Sequence, residues 1–105
     1  MATHTLKDKV VLITGGAKNL GGLISRKFAE QGAKIAIHYN SAETQADAEQ
    51  TLADVRAFGV DAVLIQADLT DIDNIEKLFL DTKQHFGGID IAINTVRSEE
   101  RRVGK

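Results

Sequence analysis

Apolar residues in this chain follow two different periods, and the alternation between them outlines a fold. Short runs at 10–13, 33–37, 62–65 and 89–94 are rich in Val, Ile and Ala, the first and third unbroken and the others interrupted only by Lys34, Asp90 and Asn94. That is the composition of strands buried on both faces of a parallel sheet. Between the runs, apolar positions recur at helical spacing. Leu20, Leu23, Ile24 and Phe28 predict a helix over 20–31, and Ala48, Leu52 and Val55 predict one over 42–58. Ile72, Ile75, Leu78, Phe79 and Phe86 predict the buried face of a third, with Thr70 or Asp71 placed to cap it. Gly32, Gly59 and Gly87-Gly88 supply the helix stops. The order is β-α-β-α-β-α-β with short connections. Right-handed crossovers turn that order into an α/β fold, a Rossmann-type parallel sheet with helices on both faces. Such a sheet reverses direction at the fourth strand and starts its second half there, so the pattern covers its first half only. The fourth strand then lacks an outer neighbour, and an open apolar edge is a template for aggregation.

One stretch changes this picture from scaffold to site. Thr14-Gly15-Gly16-Ala17-Lys18-Asn19-Leu20-Gly21-Gly22 lies between the first run and the first helix. Strand, glycine loop and helix, in that order, make a seat for a phosphate-bearing cofactor. The glycines let the backbone turn tightly and approach a pyrophosphate, while the helix start offers free N–H groups and a positive dipole end.

Composition narrows the function classes. A length of 105 residues allows one domain at most. With 43% hydrophobic and 27% charged residues, the balance is that of an ordinary globular protein. A net charge of −2 gives no reason to expect nucleic acid or an acidic membrane surface as partner. Cysteine is absent, which excludes disulfides, thiolate catalysis and cysteine metal sites. His4, His38 and His85 lack metal-like spacing and read as structural or exposed. No apolar run reaches the roughly 18 residues of a membrane span, and the N-terminus has no apolar signal core. A cytoplasmic protein is expected. The lack of proline is unusual for a complete α/β enzyme and suggests part of a longer chain.

Taken together, residues 14–22, Asp68-Leu69 and residues 89–96 resemble the first half of a short-chain dehydrogenase/reductase, over roughly residues 6–96. The resemblance is nearest to the 3-oxoacyl-carrier-protein-reductase-like branch. Of that family's Thr-Gly-x-x-x-Gly-x-Gly signature, Thr14, Gly15 and Gly21 match, and Asn19 stands at the middle glycine. Asn tolerates left-handed backbone angles best after glycine, so the turn is expected to survive. The family's Asn-Asn-Ala-Gly appears as Asn94-Thr95-Val96-Arg97, with Asn94 alone retained. The resemblance implies that Gly15, Lys18, Asn19, Leu20 and Gly21 line the pyrophosphate and adenosine ribose. It implies that Asp68 accepts a hydrogen bond from the adenine amino group with Leu69 beside the ring, and that Asn94 and Val96 lie along the adenosine side. Cofactor choice then follows from charge. NAD-binding members hold the ribose 2′-hydroxyl with an acid at the end of the second strand. Here that place holds Tyr39, flanked by His38, Asn40 and Ser41, with no acid before Glu43. Hydroxyls, an amide and Lys18 favour a 2′-phosphate, so NADP(H) is expected over NAD(H).

Residues 97–105 break the pattern. Arg97-Ser98-Glu99-Glu100-Arg101-Arg102-Val103-Gly104-Lys105 carries +2, against −4 for residues 1–96. The string matches the in-frame translation of a common sequencing adapter, AGATCGGAAGAGCGTCGTGTAGGGAAA, and is expected to be a non-native tail on a partial NAD(P)-binding domain spanning 1–96. The family's catalytic Ser, Tyr and Lys belong to its second half. The single tyrosine here, Tyr39, has Ala42 and Glu43 where the lysine would be sought, so no catalytic residue and no metal ligand is assigned. The expected parent is an NADPH-dependent oxidoreductase acting on a small carbonyl or alcohol, homo-oligomeric at full length. The alternatives are a non-catalytic dinucleotide-binding or regulatory module and a flavodoxin-like FMN domain.

Overall fold

A computed structural model describes residues 6–16, 19–40 and 42–95, with the backbone alone at Asn19. Among the described residues the chain forms β1 (Val10–Thr14), α1 (Asn19–Glu30), β2 (Lys34–Tyr39), α2 (Gln45–Arg56), β3 (Ala62–Gln66), α3 (Ile72–Phe86) and β4 (Ile91–Asn94). All strand pairs are parallel, in the order β3-β2-β1-β4. The expected α/β sheet is therefore present. Its reversal lies between β1 and β4, where Val11 through Thr14 pair with Ile91 through Asn94. The proposed tail at 97–105 lies outside the described residues.

Helices cover both faces, unequally. On one side Val11, Ile13, Ile35 and Ile37 pack with Ala29 of α1 and Val55 of α2 into a fully buried cluster. On the other, Leu12 and Ala36 meet Leu78 of α3, with Val63, Ile65, Leu69 and Phe86 half-buried around them. Continuous apolar strands are what such two-sided burial requires.

Several details differ from the sequence expectation. α1 buries a stripe of small residues, Gly21, Gly22, Ser25 and Ala29, which lets the helix lie close to the sheet. Leu20 and Leu23 are left 60% and 50% exposed. The second helix begins with a 3₁₀ turn at Ala42–Thr44 and ends at Arg56, so it is shorter than 42–58. In α3 the contact line runs through Ile75, Leu78, Thr82 and Phe86, and Ile72 and Phe79 fall at its margin, 76% and 37% exposed. One helix on a flat sheet touches it along a line narrower than its apolar face. β4 starts at Ile91 rather than Ile89. Asp90 takes the preceding ladder position, its carboxylate accepting from the Val10 N–H at 2.8 Å and its own N–H donating to the Val10 carbonyl at 2.9 Å.

Candidate functional site

The C-terminal ends of all four strands form one crest, the edge where open parallel sheets bind ligands. The loop after β1 is its centre. Gly15 has φ 69°, a left-handed value at which a side chain would be strained. Gly21, on the first turn of α1, lies against the same loop. A Cβ added there would overlap the Gly15 carbonyl oxygen and come within 2.8 Å of the Gly16 Cα. The loop and the helix start thus pack backbone against backbone, an approach that any side chain at Gly21 would block. The buried Ser25 hydroxyl ties them further, within hydrogen-bond distance of the Gly16 carbonyl (3.1 Å) and the Gly21 carbonyl (2.9 Å).

His38 holds the loop from beneath. It occupies an inward position of β2, two residues after Ala36, and is 1% exposed. The Gly15 N–H donates to its Nδ1 at 2.9 Å, and the Gly16 N–H donates to its carbonyl at 3.0 Å. Its Nε2 lies 2.8 Å from the Ala67 carbonyl just beyond β3. These partners require the neutral tautomer with the proton on Nε2. Burial pushes the imidazole below its ordinary pKa of 6.5, and the hydrogen bond to Ala67 opposes that in part. The expectation that His38 is structural or exposed resolves to structural.

Across the β1–β4 seam, the Thr14 hydroxyl donates to Asn94 Oδ1 at 2.9 Å. Thr95 returns its hydroxyl to the Thr14 carbonyl at 2.6 Å and lies 3.1 Å from the Gly15 carbonyl. At the β2–β3 end, the Ala67 N–H donates to the Tyr39 carbonyl at 3.1 Å, setting Asn40 and Asp68 around one cavity of about 260 Å³. Asp68 Oδ1 accepts from the Thr70 hydroxyl (2.7 Å) and N–H (3.0 Å), and these bonds, the hydroxyl's first, hold its carboxyl below the ordinary 3.8. Leu69 turns inward and packs on the Leu12–Ala36–Leu78 cluster.

The structure therefore brings together Gly15, Leu20, Gly21, Tyr39, Asn40, Asp68 and Asn94 along one crest. Lys18, Ser41, Val96 and the Asn19 side chain lie outside the described residues. Sequence reasoning assigned no site role to His38, Ser25 or Thr95. The available signal for His38 is a polar residue two positions after Ala36 in an apolar strand, whereas Ser25 lies off the apolar stripe of α1 and gives no such signal. No cluster of His, Cys, Asp and Glu suited to a metal occurs among the described residues.

Residues 9–102 match the short chain dehydrogenase family. The chain is 38% identical over 95 residues to hydroxynaphthalene reductase arp2 of Aspergillus fumigatus, covering 90% of this chain and 34% of that one. It superposes with TM-score 0.83 and 66% identity on a crystal structure of a putative dehydrogenase from Burkholderia cenocepacia with bound NADP, covering 90% of this chain and 36% of that one. An NAD+-bound xylitol dehydrogenase matches with TM-score 0.77 and 30% identity, covering 84% of this chain and 33% of that one. The chain spans about a third of the length of each of these relatives.

Proposed function

Because the chain belongs to the short-chain dehydrogenase/reductase family, we propose that it builds the adenosine and pyrophosphate half of an NADPH site in an oxidoreductase. The bound nicotinamide would supply hydride to a small carbonyl when reduced, or accept it from an alcohol when oxidised. The observation that carries this reading is the close seating of the loop after β1 on the first turn of α1, possible only because Gly21 has no side chain and Gly15 takes a left-handed angle, at the strand reversal of the sheet. Gly15, Lys18, Asn19, Leu20 and Gly21 would line the pyrophosphate and ribose. Asp68 would accept from the adenine amino group, its turn already fixed by Thr70, with Leu69 supporting the ring's floor. Asn94 and Val96 would border the adenosine side.

Tyr39, Asn40 and Ser41 would receive the 2′-phosphate. β2 ends at Tyr39 with no carboxylate before Glu43, and a carboxylate there is what repels that phosphate. The NADP-bound relative at 66% identity supports the choice. Tyr39 is the single tyrosine, and at the end of β2 it would face the 2′-phosphate and not the reacting carbonyl. The proton-transfer Ser, Tyr and Lys would then come from outside these residues, and the chain would serve as the cofactor half of a homo-oligomeric parent. Titration of the purified chain is expected to give a dissociation constant for NADPH at least about tenfold below that for NADH, near 1.4 kcal/mol. Equal constants would remove the preference. Binding of FMN in place of either would remove the whole reading.

A further inference from the structure

Two loop amides do not point outward toward a ligand. Gly15 and Gly16 both donate their N–H groups to one residue, His38, the first to ring Nδ1 at 2.9 Å and the second to the main-chain carbonyl at 3.0 Å. The ring then reaches past β2 to the Ala67 carbonyl at 2.8 Å, at the turn that leads into Asp68. One buried side chain therefore links the loop after β1 to the turn after β3, the two places that the proposed cofactor would touch with its pyrophosphate and its adenine. A hydrocarbon side chain of similar volume would take the partner from the part-buried Gly15 N–H and from the part-buried Ala67 carbonyl.

We propose that His38 is a positioning residue for dinucleotide binding, whose imidazole fixes the glycine loop and the adenine-side turn in register through Nδ1 and Nε2. The inference rests on the cofactor reading above, but the loop-fixing half stands on the protein alone. Neutral imidazole is the side chain that accepts at Nδ1 and donates at Nε2, at a span that fits both partners. The two contacts separate by substitution. His38→Asn places a carbonyl oxygen where Nδ1 stands and keeps an acceptor for Gly15. His38→Gln reaches the Ala67 carbonyl with its amide nitrogen and leaves the Gly15 N–H without its acceptor.

The experiment is nitrogen-15 NMR on the full chain, wild type and both variants, with NADPH titrated into each. In the wild type a scalar coupling across the N–H···N bond is expected between the Gly15 amide and His38 Nδ1. Its absence overturns the proposal before any variant is made. The Gly15 amide is expected to exchange at least about tenfold faster in His38→Gln than in His38→Asn, and NADPH binding to weaken about tenfold in His38→Gln but less than about threefold in His38→Asn. Equal behaviour of the two variants assigns His38 to general packing and overturns the positioning role. If the wild type binds no dinucleotide, the cofactor reading falls. The coupling and the exchange ratio still decide whether His38 fixes the loop.

Discussion

A neutral imidazole at His38 has no room for a second ring proton, because Nδ1 already faces the Gly15 N–H. Protonation would set two donors against each other in a buried place, and desolvation by burial separately lowers the pKa from 6.5, opposed in part by the Ala67 hydrogen bond. The folded chain thus binds fewer protons than the unfolded chain below about pH 6.5. Stability rises with pH wherever the unfolded state holds more protons, so the contribution is complete above about 6.5 and is lost as pH falls toward the depressed folded value. Asp54 and Asp68 are also lowered, Asp54 chiefly by its Arg26 hydrogen bond and Asp68 by Thr70, but from an ordinary 3.8, so they titrate well below this window. The urea midpoint is expected to fall between about pH 7.5 and 5.5 in the wild type and to fall less in His38→Asn. Identical pH slopes in the two proteins would show that His38 does not titrate differently on folding. Neither the glycine loop nor the strand pattern reveals this in the sequence. The imidazole follows an apolar run and looks like a strand end until Gly15 and Ala67 are placed on either side of it.

At the scale of elements, α3 shows what local pattern conveys and what it omits. Thr70 and Asp71 are both residues that cap helices, and the sequence leaves the choice open. The structure settles it by hydrogen bonding. Thr70 gives its N–H and hydroxyl to Asp68, whereas Asp71, at φ −107° and ψ 122°, accepts from the Asp73 N–H at 2.9 Å. The helix closes on Gly87, whose N–H donates to the Lys83 carbonyl at 2.7 Å. Asp71→Ala is expected to cost about 1 kcal/mol, seen as a lower urea midpoint at constant slope, and Asp71→Ser to restore most of it. A null effect of the alanine would place the cap elsewhere. Element order, the strand cores and the helix stops were legible because they depend on residue type and period. The exposed Ile72 and Phe79, the 3₁₀ start at Ala42 and the small-residue face of α1 were not. Each depends on what lies opposite, and a one-dimensional period carries no record of its neighbour.

The whole molecule is a sheet with one well-covered face and one thinly covered face. α1 and α2 close the first side, joined by the 2.8 Å ion pair of Arg26 with Asp54 above a buried core. On the second side α3 lies over the sheet, and its Ile72 and Leu80 remain 76% and 54% exposed. Among the described residues β4 stands at the end of the strand order, with Ala92 exposed and Ile91 and Ile93 half-buried. Self-association therefore has two candidate routes, pairing along the β4 edge and stacking through the α3 flank. Edge pairing is favoured because backbone donors and acceptors add to the apolar contact, and a lysine on an edge strand opposes it directly. Ala92→Lys points from the exposed side of β4 and should leave monomer stability within about 0.5 kcal/mol. It is expected to lower light scattering of concentrated samples at least severalfold, while Ile72→Lys has little effect. If Ile72→Lys clears the solution and Ala92→Lys does not, association runs through the helix flank, and the open strand edge is harmless.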